Sequence, residues 1–73
     1  MDSIFDRIQH WFTYHPPTGP EQIDAYKRVR DAGMAFGLII AENTPSSADQ
    51  SAALRKVREA VMTANAAIAC GGK

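Results

Sequence analysis

Apolar positions recur at steps of three and four residues near the start of the chain. They are Ile4, Phe5, Ile8, Trp11 and Phe12. Because an α-helix turns once every 3.6 residues, this spacing places the five side chains on one helix face. The pattern predicts a first, amphipathic helix over residues 3–12.

Proline, glycine and serine divide the rest of the chain into two long segments without internal breaks. The first of these segments predicts a helix over residues 20–43. Thr18 is expected to cap this helix, Pro20 suits its first turn, and Glu21 completes the spacing of a capping box. The second segment predicts a helix over 47–70, which begins at Ser46 or Ser47 and ends at the two glycines 71 and 72.

Two long helices joined by a few residues are expected to pack as an antiparallel pair. One apolar stripe of the third helix suits packing on the second helix, and it consists of Leu54, Val57, Val61, Ala64 and Ile68. The sequence therefore predicts an all-α fold, with a short N-terminal helix and a long helical hairpin in a single domain over residues 1–73.

Two surfaces of the predicted hairpin need further cover. Residues 34–41 are apolar around the whole circumference of the second helix, and Ala53, Ala60 and Ala67 form a small-residue face on the third. A helix that is apolar all round must be covered on every side. Because one hairpin and one short helix cannot supply that cover, the pattern predicts a homo-oligomer.

Composition excludes several functional classes. Eight basic and eight acidic residues cancel in the 73-residue chain, which argues against binding to DNA or RNA polymers. The longest strongly apolar stretch, 33–41, is too short to span a membrane, and the N-terminus lacks the apolar core of a signal peptide. The single cysteine, Cys70, fits a reducing cytoplasm.

Neither catalysis nor a metal site is predicted. Ser46, Ser47 and Ser51 lie at a helix start, where capping is their ordinary role, and no histidine lies at a recognisable nucleophile–base spacing. His10, His15 and Cys70 do not fall at the spacings of zinc ligands. We therefore expect no enzyme activity, no cofactor and no metal.

Ligand binding is better supported by the sequence. Tyr14 leads into the rigid Pro16-Pro17 turn, and Tyr26, Lys27 and Arg30 share one region of the second helix. Aromatic rings that stack on bases, beside cations that bind phosphate, suit a flat anionic nucleotide. The alternative is that Tyr14 packs the turn onto a helix and that the charges form a solvated face.

Three segments in order resemble the phage anti-CBASS cyclic-dinucleotide sponges: Thr13-Tyr-His-Pro-Pro17, Thr44-Pro-Ser46 and residues 60–69. The resemblance implies a helical hexamer without enzyme activity, acting in the host bacterial cytoplasm. Such proteins bind cyclic dinucleotides such as cyclic GMP–AMP between protomers, and some also bind cyclic trinucleotides at a separate site. By lowering the free messenger, they prevent activation of the host effector.

The resemblance also suggests roles for individual residues. It implies that Tyr14 stacks on a base and that Tyr26 and Lys27 supply the second aromatic and a cation, while His15 and Pro16 shape the turn. Helix geometry adds Arg30, one turn after Tyr26. Two positions depart from the family pattern: Thr63 replaces a common tryptophan, and Cys70 replaces a basic residue, which is expected to weaken a trinucleotide site.

Two other functions compete with the sponge hypothesis. A helical oligomer could inhibit a host protein through the apolar face of the first helix, and Ile8 and Trp11 would then matter. A small helix-turn-helix DNA-binding dimer is disfavoured, because such domains have shorter helices and a basic recognition face.

Overall fold

A computed structural model of the chain describes residues 3–73, which form three α-helices and no strand. Helix α1 spans Ile4–Trp11, α2 spans Pro20–Asn43 and α3 spans Ala48–Ala69. The predicted all-α class is therefore confirmed.

Serine side chains cap the first and third helices. The Ser3 hydroxyl accepts a hydrogen bond from the Asp6 N–H at 3.1 Å, and the Ser47 hydroxyl accepts one from the Gln50 N–H at the same distance. These bonds satisfy backbone donors that have no partner within the first turn of a helix. Both helices begin one residue later than the sequence predicts, because the serines themselves are the caps.

Helix α2 spans the predicted residues 20–43, but its cap differs from the prediction. The N-cap is Gly19, which has no side chain to cap with, and Pro20 is the first helical residue. The cap lies directly before the first helical residue, so Thr18 is one position too early to fill it. Instead, the side-chain carbonyl of Gln22 accepts a hydrogen bond from the Thr18 N–H at 2.8 Å.

Two glycines end α3, as the sequence predicts. Gly71 and Gly72 have φ angles of 64° and 78°. The Gly72 N–H donates to the Ala67 carbonyl at 2.9 Å, and the Gly71 N–H donates to the Ile68 carbonyl at 3.3 Å. This pair of bonds defines a Schellman motif, which requires the left-handed backbone that glycine adopts without strain.

Helices α2 and α3 pack along a shared seam and run in opposite directions. Near one end, the Gln22 side-chain amide donates to the Ile68 carbonyl at 3.1 Å, and near the other the Gln50 side-chain amide donates to the Thr44 carbonyl at 3.1 Å. The stripe that the sequence assigns to this contact is half-buried at every position: Leu54, Val57, Val61, Ala64 and Ile68.

Of the two glycines within α2, Gly33 lies closer to the side chains of α3. A Cβ atom added to Gly33 would lie 2.5 Å from the Val61 Cγ2, whereas one added to Gly37 would lie 3.8 Å from the nearest Leu54 atom. The first distance is a clash and the second is ordinary contact. Glycine at position 33 therefore sets the spacing of the helix pair.

Polar contacts hold α1 against the end of α3. The His10 Nε2 donates to the Cys70 carbonyl at 2.9 Å, and the Trp11 indole donates to the Lys73 carbonyl at 3.2 Å. A carbonyl oxygen only accepts hydrogen bonds, so the ring nitrogen of His10 must carry the proton.

No residue in the described range is fully buried. The accessible surface of 5906 Å² compares with roughly 4,500 Å² expected for a folded monomer of this mass. Large apolar side chains account for much of the exposure, including Phe5 at 75%, Phe12 at 86% and Met62 at 65%. A single copy of the chain thus has a helix seam but no closed core.

Replacing Gly33 with alanine tests the role of the seam. The change adds up to about 1 kcal/mol of helix propensity, but it drives a methyl group into Val61, and overpacking costs about 1–3 kcal/mol. Gly37→Ala is the matched control, because it gains the same propensity without the clash. We expect urea denaturation at fixed protein concentration to find Gly33→Ala less stable than Gly37→Ala by about 1–3 kcal/mol. Equal stabilisation by both changes would contradict the close approach.

Candidate functional site

The linker between α1 and α2 presents Tyr14 to solvent. Its side chain is 83% exposed, while hydrogen bonds of its neighbours hold the backbone turn. The Thr13 hydroxyl donates to the Gln9 carbonyl at 2.6 Å, and the His15 Nε2 donates to the His10 carbonyl at 2.6 Å. Within one copy, the alternative that Tyr14 packs the turn onto a helix is therefore wrong, because its ring has almost no contact to make.

The charged residues of α2 form two exposed ion pairs. The Lys27 ammonium lies 2.6 Å from an Asp31 carboxylate oxygen, and the Arg28 guanidinium lies 2.8 Å from Asp24. The hydrogen bond from Lys27, helped by the charges of Lys27 and Arg30, lowers the pKa of Asp31 below its usual 3.8. Lys27 and Arg28 thus match the solvated-face alternative in the free protomer.

Arg30 has a different setting from its basic neighbours. It makes no ion pair with any acidic residue in the described range, and it borders an open groove of about 490 Å³ on one side of the α2–α3 seam. The groove wall is otherwise mostly apolar and includes Gly33, Met34, Gly37, Leu54, Val57, Val61 and Met62. A cation at the edge of an apolar groove suits an anionic ligand with flat apolar faces.

Arg58 borders the same groove from α3, and sequence reasoning missed it. The helical period could have placed it beside the packing stripe, four residues after Leu54 and three before Val61. Its position opposite Arg30, however, depends on the register of the two helices. That register is visible only once Gly33 is found against Val61.

A second groove, of about 460 Å³, lies on the other side of the seam. Ala53 and Ala60 of the predicted small-residue face line it, together with Phe36, which is 57% exposed. The small side chains leave room for another backbone to approach, as the sequence suggests. Both grooves share the seam residues Gly33, Val57 and Val61.

The residues predicted to bind ligand are not joined within one protomer. Tyr26 is half-buried on α2, and Arg30 lies one turn further along. Across residues 3–73, no hydrogen bond or ion pair links Tyr14 to Tyr26, Lys27 or Arg30. These side chains therefore do not contact one another through polar bonds in one copy.

The spacing argument against a metal set needs correction. His10, His15 and Cys70 each offer one ligand atom, and these atoms lie within 4.8 Å of one another. Sequence spacing could not group them, because α2 and α3 separate Cys70 from the two histidines in the sequence. Cys70 comes close to them only where α1 contacts the end of α3.

Asn65 is the one residue of the described range with an enclosed, unpartnered side-chain oxygen. Buried polar atoms normally have a hydrogen-bond partner. The sequence places this amide among alanines, and its oxygen is enclosed within one copy, out of reach of a donor from another.

Comparison with family models gives a match over residues 6–69 to the family described as "Acb2/Tad1, hairpin domain". The chain belongs to this family. The Acb2/Tad1 hairpin family comprises anti-CBASS cyclic-oligonucleotide sponges, so the resemblance found in the three sequence segments is confirmed. Comparisons with curated proteins and with solved structures returned no match.

Membership of the Acb2/Tad1 hairpin family fits a binding role. The family sequesters its ligands and is not known for catalysis. Among the described helices, none is both long and apolar enough to cross a bilayer.

The ion pair at Lys27 predicts a measurable titration. Lys27→Gln removes the hydrogen bond and the charge that lower the pKa of Asp31, so we expect this pKa to rise towards 3.8. In the wild type, the pair persists above the lowered pKa and is lost as the pH falls through it. Carboxyl NMR titration measures the change, with Arg28→Gln as the control because Arg28 pairs with Asp24 instead. An unchanged Asp31 titration in Lys27→Gln would contradict the ion pair.

Proposed function

We propose that this chain captures cyclic dinucleotide second messengers, such as cyclic GMP–AMP, and prevents activation of a host CBASS effector without chemically altering them. It would act in the host bacterial cytoplasm as a homo-oligomer, a hexamer by resemblance to the sponges. The observation that carries the proposal is the Tyr14 ring, 83% exposed on a turn that is itself held by hydrogen bonds.

An exposed ring on a fixed turn suits base stacking. Stacking of one base on an aromatic side chain contributes about 1–3 kcal/mol. The binding free energy is preserved when the ring does not have to be ordered first, because ordering of loops and side chains opposes association. Pro16 and Pro17 restrict the backbone conformations available on one side of Tyr14, and the His15 hydrogen bond restricts them further.

The phosphates of a cyclic dinucleotide require cations. Lys27 is the candidate from the resemblance, and in the free protomer its ammonium is engaged by Asp31. A phosphate must therefore compete with that carboxylate. The competition is feasible because the pair is exposed, at 64% and 51% for the two side chains, and exposed pairs are screened by water and salt.

A pocket shared between copies accounts for the scattered positions of the proposed ligand contacts. The surface of one copy exceeds the value expected for its mass by roughly 1,400 Å², more than the ~800 Å² that each partner contributes to a standard interface. Assembly would cover apolar groove walls and could bring Tyr14 of one copy towards Tyr26 and Lys27 of another. Arg30 and Arg58 supply further positive charge at the edge of one groove.

Calorimetric titration of cyclic GMP–AMP tests the proposed contacts. We expect low-nanomolar binding by the wild type, about −12 kcal/mol. Tyr14→Ala should weaken binding about 5- to 150-fold, the equivalent of one lost stacking contact. Lys27→Ala should also weaken binding, and it should flatten the dependence of the affinity on salt.

Two variants serve as controls for that titration. Tyr14→Phe keeps the ring and should retain most of the affinity. Arg28→Ala removes a neighbouring cation that is paired with Asp24, and it should change the affinity less than Lys27→Ala does. A wild-type protein that binds no member of a panel of cyclic di- and trinucleotides would refute the proposed function.

Recovery of the ligand separates sequestration from catalysis. The complex is heated, and the released nucleotide is analysed by mass spectrometry. Intact ligand is the result expected of a sponge, whereas degraded ligand would identify an enzyme.

Phe36→Glu tests assembly through the second groove. Phe36 is already 57% exposed in one copy, so the substitution should leave the protomer helical. A carboxylate on an apolar groove wall would be costly to bury against another copy. Native mass spectrometry should find an oligomer in the wild type and smaller species in Phe36→Glu, with Arg55→Glu as the control on an exposed position outside both grooves. A well-folded wild-type monomer at micromolar concentration would contradict the shared pocket.

One observation favours a second candidate function, inhibition of a host protein. The apolar face of α1 is open, with Ile8 43% and Trp11 44% exposed. This function predicts that Ile8→Ala abolishes immune evasion in infected cells while nucleotide affinity is unchanged. Loss of evasion in Tyr14→Ala with retention in Ile8→Ala would support the sponge instead.

A further inference from the structure

Three potential metal ligands converge where α1, the proline-containing linker and the end of α3 meet. His10 lies in the last turn of α1, His15 lies in the linker, and Cys70 is the C-cap residue of α3. Their ligand atoms lie within 4.8 Å of one another, and all three residues are half-buried. The two imidazole rings are 4.6 Å apart between centroids and are tilted by 58°, so they are not stacked on each other.

Backbone hydrogen bonds determine which nitrogen of each ring can bind a metal. The Nε2 atoms of His10 and His15 face the carbonyls of Cys70 and His10, at 2.9 and 2.6 Å. Because a carbonyl only accepts, each Nε2 carries the proton, and the lone pair of each neutral ring is on Nδ1. Metal-binding histidines usually donate their other N–H to a carbonyl or carboxylate, which fixes the tautomer and the ring orientation.

We propose that His10, His15 and Cys70 form a structural site for one Zn²⁺ ion. Two imidazoles and a thiolate suit this borderline-soft metal, and water or a further ligand would complete the tetrahedron. Zinc bonds of about 2.0–2.3 Å place neighbouring ligand atoms about 3.3–3.8 Å apart. One ligand atom from each of the three residues lies within 4.8 Å of the others, so binding through the two Nδ1 atoms and the Cys70 sulfur needs rotation or contraction of these side chains. Binding replaces the S–H bond of Cys70 with a S–Zn bond and releases the thiol proton.

Such a site would connect segments that are otherwise weakly joined. Helix α1 reaches the end of α3 through two side-chain hydrogen bonds, those of His10 and Trp11, and no described residue is buried beneath it. Short chains without an adequate core commonly depend on a metal, a disulfide or oligomerisation. The ion would also fix the backbone on both sides of Tyr14, which lies between the two histidines in sequence.

Zinc titration of the metal-free, reduced protein tests the site without any nucleotide. We expect one Zn²⁺ per chain by calorimetry, and a rise in melting temperature over the same protein in chelator. Substitution of Co²⁺ should give a thiolate-to-cobalt charge-transfer band, which reports the Cys70 ligand directly. Cys70→Ala should abolish that band and weaken zinc binding at least tenfold.

Matched variants keep the test independent of folding. His15→Gln retains an N–H donor for the His10 carbonyl but offers no imidazole, so it should weaken zinc binding at least tenfold while circular dichroism reports unchanged helicity. Thr13→Ala alters the same linker without removing a metal ligand and should bind zinc like the wild type. The site is refuted if the folded wild type binds no zinc, or if Cys70→Ala and His15→Gln bind it as tightly as Thr13→Ala. Because these readouts use no nucleotide, failure of the sponge function leaves them unaffected.

Discussion

The contact between Gly33 and Val61 sets the architecture on which the other features depend. At this point the Val61 side chain lies so close to Gly33 that a Cβ atom there would clash with it, and the half-buried stripe of α3 packs along the same seam. The seam is narrow, however, and two helices side by side leave both flanks open. The grooves on these flanks, with Gly33, Val57 and Val61 at their base, are thus a direct consequence of the packing that forms the pair.

This geometry links stability with ligand binding. The chain exposes large apolar side chains that a larger domain would bury, so contacts with other copies would add to its free energy of folding. In the proposed assembly, the same contacts would create pockets from side chains of different copies. Arg30 and Arg58 border one flank, while Tyr14 projects from the linker beyond the end of the seam. Association and ligand capture would therefore use overlapping surfaces, and a ligand seated between copies would stabilise the assembly.

Local sequence rules predicted the helices well because residues that favour the start or the end of a helix lie at the helix ends. Ser47 caps α3 as predicted, Ser3 caps α1 although the prediction placed it inside that helix, and the glycines that end α3 form the expected motif. The same rules misplaced the cap of α2, since the capping-box spacing from Thr18 to Glu21 favoured Thr18, whereas the residue directly before Pro20 is Gly19. Such errors amount to one residue and do not alter the fold.

Contacts between segments that are distant in the sequence could not be predicted, for a different reason. Arg58 joins Arg30 only through the register of two helices, and Cys70 joins His10 only through docking of α1 on the end of α3. Periodicity specifies which face a residue occupies, but it does not specify which residue of another helix lies opposite. For the same reason, the aromatic and cationic residues chosen from the sequence are candidates by their chemistry alone, and their convergence is part of the proposal.

The end of α3 forms hydrogen bonds with both other helices, although its residues are mostly small. Backbone N–H groups after the helix satisfy its last carbonyls, and side chains from both other helices add hydrogen bonds there: Gln22 reaches Ile68, and His10 reaches Cys70. Because His15 in turn bonds the His10 carbonyl, a chain of polar contacts runs from the end of α3 through α1 to the residue after Tyr14. The backbone beside the exposed Tyr14 ring is thus connected to the end of α3 by two consecutive hydrogen bonds.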